Sequence, residues 1–163
     1  MNTVGKEDFE STCKLFIGAV HKYFNHLSKV KAAGHVPGSE TGVPYVKEPG
    51  EIVLKEFTGM IGISGNRKGI VYFSGERKIF EDLLKIFTKI DDITDERVLD
   101  MAGEVSNVIA GNVRETFGQD FMISVPIVFQ GKPSNMKFPE NVPVFVIPIK
   151  WKKYEAYMVI GLE

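Results

Sequence analysis

Residues 98–116 obey helical periodicity on one side and break the rules of a stable helix on the other. At roughly 100° per residue, Val98, Ala102, Val105, Ile109, Val113 and Thr116 fall on one stripe, with Met101 and Val108 at its margin. That stripe predicts a core face. The opposite side carries Asp100, Glu104, Asn107 and Gly111 within about 60° of one another, flanked by Gly103 and Arg114. Two glycines in a helix interior cost roughly 1 kcal/mol each relative to alanine. Asn107 adds to the cost, because Asn competes for backbone hydrogen bonds. A purely solvated face would carry Glu, Lys or Ala at less cost. Two readings follow. The glycines admit a closely packed neighbour and the polar residues are merely solvated, or a flat, side-chain-poor patch lets another macromolecule reach a carboxylate and an amide one turn apart.

The rest of the chain supplies a sheet and two more helices for this element to pack on. Phe9, Cys13, Phe16, Ile17, Val20, Phe24 and Leu27 recur at three- and four-residue steps, predicting an amphipathic helix over 6–29. Residues 34–50 are rich in glycine and proline and read as a connection, with one short edge strand at 43–46. Strands over 52–63 and 69–73, joined through Ser64, Gly65, Asn66 and Arg67, read as a hairpin. Ser74 is the expected cap of a helix reaching Thr88, with Ile79, Phe80, Leu83, Leu84 and Phe87 inward. Thr94 caps the central helix, Asp95 and Glu96 complement its positive end, and Gly118 closes it. Residues 121–129, 142–149 and 154–162 read as strands, the last two forming an antiparallel hairpin about Trp151, Lys152 and Lys153. Pro126 and Pro148 each remove a ladder donor and so mark edges, bulges or strand ends.

Size and charge narrow the function classes. A chain of 163 residues, 44% hydrophobic and 25% charged, is expected to form one domain, 1–163, with a substantial core. A formal net charge of -1 offers no field to hold nucleic acid or an anionic membrane. The single cysteine, Cys13, excludes an internal disulfide and sits among apolar helix positions, which predicts a buried thiol. No segment approaches the roughly 18 apolar residues of a membrane helix, and the amino terminus lacks a secretory pattern, so the cytoplasm is the expected compartment. His21, His26 and His35 do not converge on a metal site. The glycines near residue 65 are not a phosphate-binding loop, since no Gly-Lys-Ser/Thr follows and the next element is a strand. No nucleophile–base pair or dinucleotide fingerprint is present, so any catalysis must be sparse.

The run Asp100, Glu104 and Asn107, continued by Ile109, Ala110, Gly111 and Asn112, resembles the signature helix of the CheC/CheX/FliY family of response-regulator (CheY-P) phosphatases. A single copy of that helix points to the CheX branch. The likeness extends to residues 59–65 followed by Lys68 and Gly69, to residues 123–128 with Gly131 close behind, and to Val146, Ile147 and Pro148. It covers about residues 50–162. Residues 108–125 separate Asn107 from Pro126, a shorter spacing than in two-copy members, which leaves the role of Pro126 open.

The resemblance implies an α/β domain of the α+β type, an antiparallel sheet packed with about three helices. It implies a protein-aspartyl-phosphate phosphatase acting on a CheY-type regulator in chemotaxis or another two-component pathway. In that scheme the regulator brings the aspartyl phosphate, a magnesium ion and a lysine, and the phosphatase has no cofactor or metal of its own. An Asn carboxamide accepts and donates hydrogen bonds in fixed geometry, which suits Asn107 to aligning the hydrolytic water. Glu104 would be repelled by phosphate and is implied to salt-bridge the regulator's lysine. Asp100 is assigned a supporting role, and Gly103 and Gly111 are placed with it at the partner surface. The simpler alternatives are an Asp100–Arg97 pair and helical ion pairs for Glu104, each of little energy. A homodimer is expected, from the sheet-joining habit of CheX and from terminal apolar strands whose edge needs cover. The rival function is a non-catalytic interaction module like the flagellar-switch proteins. A small-ligand sensor would need a concave pocket, which the sequence does not announce.

Overall fold

The computed structural model describes residues 3–30, 34–138 and 141–163, with 3–8 as helix backbone only. Among these residues, three helices pack against one antiparallel sheet. The helices are α1 (Thr3–His26, extended by a 3-10 turn at Leu27–Lys29), α2 (Arg77–Phe87) and α3 (Asp95–Phe117). The strands are β1 (Ser39–Thr41), β2 (Tyr45–Val46), β3 (Phe57–Gly65), β4 (Gly69–Gly75), β5 (Phe121–Ile123), β6 (Ile127–Gln130), β7 (Phe145–Trp151) and β8 (Tyr154–Leu162). They form an eight-stranded sheet in the order β1-β7-β8-β4-β3-β5, with β2 also on β7 and β6 also on β3. The expected architecture is therefore the observed one.

Alternation along the strands divides the sheet into two apolar faces. Phe57, Ile61, Val71, Phe73, Met158, Ile147 and Trp151 belong to the large core under the helices, with Phe16, Val20 and Phe24 from α1 and Ile79, Phe80 and Leu83 from α2. Tyr72, Val146 and Val159 point the other way. There they meet Val53, Leu54, Met136 and Phe138 from irregular segments instead of a second helical layer. Tyr72 fixes one of these segments by donating to the Val53 carbonyl at 2.7 Å.

Several local expectations hold and some fail for identifiable reasons. The β3–β4 and β7–β8 hairpins form as expected, and the latter turns through Lys152 at φ 55°. Thr94 caps α3 by accepting from the Arg97 amide, and Gly118 ends the helix at φ 91°. Cys13 is buried, and burial pushes its thiol up from the ordinary value. Ser74, in contrast, does not cap α2. It lies in β4, where its hydroxyl accepts from the Lys55 amide at 2.7 Å and pairs with the Thr58 hydroxyl at 2.8 Å. The free amide at the start of α2 goes instead to Glu56, which accepts from the Arg77 N–H at 3.1 Å. Residues 52–56 are irregular, so β3 begins later than predicted. Phe87, placed inward by periodicity, is 46% exposed at the end of α2.

The two prolines are explained by register. Met60 faces Ile127 and Ile63 faces Ile123, so Ile61 and Gly62 oppose Ser124, Val125 and Pro126. The predicted strand over 121–129 is thus split by a bulge of one extra residue, pinned by Ser124, whose amide donates to the Gly62 carbonyl and whose hydroxyl accepts from the Gly62 N–H. Pro148 lies where β1 gives way to β2, and its carbonyl accepts from the Gly42 amide at 2.9 Å. The N and O of one strand residue point the same way. The missing donor therefore faces the gap, where no ladder bond is lost.

Candidate active site

α3 packs on α1, on α2 and on β3 to β6, and its rotation about its own axis is fixed on the sheet side. Val98, Ala102, Val105, Ile109 and Val113 are buried as the stripe requires, and Met101 joins them. Ser106 lies among them with no exposed surface, and its hydroxyl donates to the Gly59 carbonyl at 2.7 Å. Gly59 lets this contact form: a Cβ there would stand 2.3 Å from the Ala102 carbonyl oxygen. One residue after Ala102 in α3, Gly103 faces Val128 of β6 and the preceding Pro126, and a Cβ on it would fall 2.9 Å from a Val128 methyl. Gly103, expected at the partner surface, is therefore buried against β6, and it belongs to the packing reading of the helix glycines. Thr116 also leaves the predicted stripe and is exposed. Phe117 takes the inward place, stacking on Phe121 at 4.8 Å between ring centres.

With that side locked, Asp100, Glu104 and Asn107 are exposed on the opposite side, and Gly111 follows them in open space. No hydrogen bond or ion pair among the described residues engages the three polar side chains. The Asp100–Arg97 alternative is not formed: Arg97 pairs with Asp92, and Asp95 with Arg77. Asp92 and Asp95 of the acidic cluster are thus absorbed in ion pairs, while the carboxylate and amide one turn apart are left available. His21 bonds to Ser39 at 2.8 Å, and no group of three or more His, Cys, Asp or Glu among the described residues could hold a metal ion.

Sequence reasoning missed the cleft beside this patch. About 590 Å³ of space opens between α1 and α3 at the end of α2, with Leu27, Phe87, Met101 and Val108 as apolar walls and Lys22, His26, Glu104 and Asn112 on the polar side. Tyr23 also lines it. Its hydroxyl is buried with no hydrogen-bond partner among the described residues, and burial, with the nearby charge of Glu104, pushes the phenol above its ordinary value. Tyr23 lies three residues after Val20 on the apolar stripe of α1, so periodicity alone reads it as one more core aromatic. A shallower hollow of about 250 Å³, lined by Ile90, Arg97 and Asp100, meets the first at Met101 and Glu104. The bulge adds a second missed feature, Val125 with 84% of its surface exposed, next to the proline that touches Gly103.

Residues 57–150 match the family model for the chemotaxis phosphatase CheX. The chain belongs to the CheX family. Its fold is similar to that of a chemotaxis protein from Desulfovibrio vulgaris Hildenborough, at 27% identity over 94% of this chain and 97% of that one, with a TM-score of 0.74. It is also similar to a CheX from Desulfovibrio desulfuricans, at 26% identity over 92% and 97% of the two chains and a TM-score of 0.73. At 20% identity, 93% and 97% coverage and a TM-score of 0.66, the fold is shared with the Borrelia burgdorferi structure of a CheX–CheY–BeF3–Mg complex. No curated protein sequence matches the chain significantly. The matched CheX region contains β3, all of α2 and α3, and the bulged strand, which together present the Glu104–Asn107 face.

Proposed function

We propose that this chain hydrolyses the aspartyl phosphate of a CheY-type response regulator, with Asn107 aligning the attacking water and Glu104 pairing with the regulator's lysine. The observation that carries the reading is the pair itself: an unpaired carboxylate and an unpaired carboxamide, one turn apart, on a helix held by Ser106, Gly59 and Gly103 from below. A merely solvated helix face needs no such support. A water-positioning group does, because small displacements of a reacting atom are costly in rate.

In the reaction, water attacks phosphorus in line with the aspartate oxygen, the P–O bond to that oxygen breaks, and inorganic phosphate leaves with the aspartate regenerated. The regulator supplies the electrophile and the magnesium ion that balances its charge, so the phosphatase adds mainly position and electrostatics. Asn107 holds the water by accepting from it or donating to it. Glu104 repels phosphate and so fits the cation beside it, where a desolvated ion pair sets orientation. Asp100 extends this acidic margin, and Gly111 keeps the far side low enough for close approach. The CheX–CheY complex of Borrelia burgdorferi supports a partner of the CheY kind.

The decisive experiment mixes the protein with a panel of phosphorylated regulators from the same cell and follows phosphate loss. Accelerated loss from at least one regulator is expected. Binding without acceleration on every regulator would make the chain a non-catalytic interaction module.

A further inference from the structure

Tyr23 occupies an unusual position for a core aromatic. Its ring is edge-on to Phe24 at 5.1 Å, and the residue is only 6% exposed, yet its hydroxyl meets no acceptor among the described residues. An unsatisfied buried hydroxyl costs more than the phenylalanine that would fill the same space, so its retention asks for a partner that is present in another state. The cleft that Tyr23 lines contains one carboxylate, that of Glu104, whose side chain is exposed and unpaired. The other polar groups at the cleft are Lys22, His26 and Asn112. Lys22 is held 3.7 Å from Glu115 and has no acceptor, and the His26 ring and the Asn112 amide are weaker acceptors for a phenol than a carboxylate is.

We infer that Tyr23 is a positioning residue for Glu104: when Glu104 turns toward the cleft, its carboxylate accepts the Tyr23 O–H, and its second oxygen is held toward the regulator's lysine. Glu104 lies close enough for its charge to add to burial in keeping the phenol protonated. A phenol that stays protonated is the state that donates. One hydrogen bond to a carboxylate selects a single rotamer from several and reduces the entropy lost when the ion pair forms across the interface. This inference rests on the proposed phosphatase reading for its kinetic consequence, but the Tyr23–Glu104 contact itself can be tested without it.

Tyr23→Phe keeps the ring and removes only the orphan hydroxyl, so the variant should melt at the same temperature or higher. With a phosphorylated regulator, KM should rise about tenfold, the size of one charge-assisted hydrogen bond, while kcat changes little. In the Glu104→Ala background the same substitution should have no further effect. An unchanged KM, or an equal loss with and without Glu104, overturns the inference. If no regulator is hydrolysed by the wild-type protein, the phosphatase reading fails, and the inference is judged on equilibrium binding of regulators loaded with beryllium fluoride and magnesium: Tyr23→Phe should weaken binding about tenfold, and by nothing further in the Glu104→Ala background. Equal weakening in both backgrounds, no weakening, or no binding of any regulator would overturn it.

Discussion

Asn107 and Glu104 stand three positions apart on one helix, yet their removal should be felt in different kinetic constants. Losing a preorganised water-binding amide slows chemistry by about a hundredfold or more and leaves protein contact intact. Asn107→Ala should therefore bind phosphorylated regulator normally and barely hydrolyse it. Under the proposed pairing, Glu104→Ala would leave the regulator's lysine without its partner, so affinity and turnover should both fall in saturation kinetics. Full activity in the Asn107 variant would reduce the helix to an interface. The exposure of both residues was legible in the sequence because a 3.6-residue period states which side chains point away from a core, whatever that core contains. The burial of Gly103 was not legible, since its reason is a methyl of Val128 brought over by a strand that begins two dozen residues later. Tyr23 was hidden for the same reason: its orphan hydroxyl is defined by what surrounds it, and periodicity describes only its ring.

The two glycines of α3 separate the two readings of this element. A Cβ on Gly111 meets nothing within 4 Å, whereas one on Gly103 meets Val128 and Pro126. Gly111→Phe should leave the fold intact or slightly stabilise the helix, and weaken regulator binding by crowding the approach. Gly103→Phe should destabilise by about 1–3 kcal/mol or more in denaturant melts, because β6 must yield. Equal destabilisation by both would mean that Gly111 also serves internal packing. Ser106 tests the seating of the whole helix: Ser106→Ala should cost about 1–2 kcal/mol of stability, as a buried donor to the Gly59 carbonyl disappears. If unfolding by chemical denaturant is unchanged, the bond does not hold α3. At this scale the sequence showed where elements lie better than where they begin. Ser74 has the composition of a cap, but a strand claims its backbone and two neighbours claim its hydroxyl, while the cap role passes to Glu56 across the sheet.

The edges of the sheet decide how two copies of the molecule can meet. The terminal strands were expected to present an open edge, but β8 lies between β7 and β4, and β7 is covered by β1 and β2. Strand order depends on pairings far apart in sequence, which alternation cannot reveal. The exposed edges are instead β1–β2 and β5–β6. Val43 and Val46 are 85% and 53% exposed beside the first, and Val125 and Ile127 are 84% and 65% exposed beside the second. A partner copy on the second edge would cover the bulge whose Pro126 touches Gly103, and so would crowd the face that presents Asn107. The first edge leaves that face clear. If the expected homodimer forms, the β1–β2 edge with its exposed valines is the one predicted to carry it. Sedimentation at micromolar concentration should show a species of twice 18.2 kDa, and Val46→Lys should convert it to one of 18.2 kDa with the fold retained. Val125→Lys should leave the dimer unaffected. A single 18.2 kDa species in the wild-type protein would contradict the dimer, and dissociation by Val125→Lys alone would move the interface to the opposite edge, with the consequence that monomers rather than dimers expose Asn107 to the regulator.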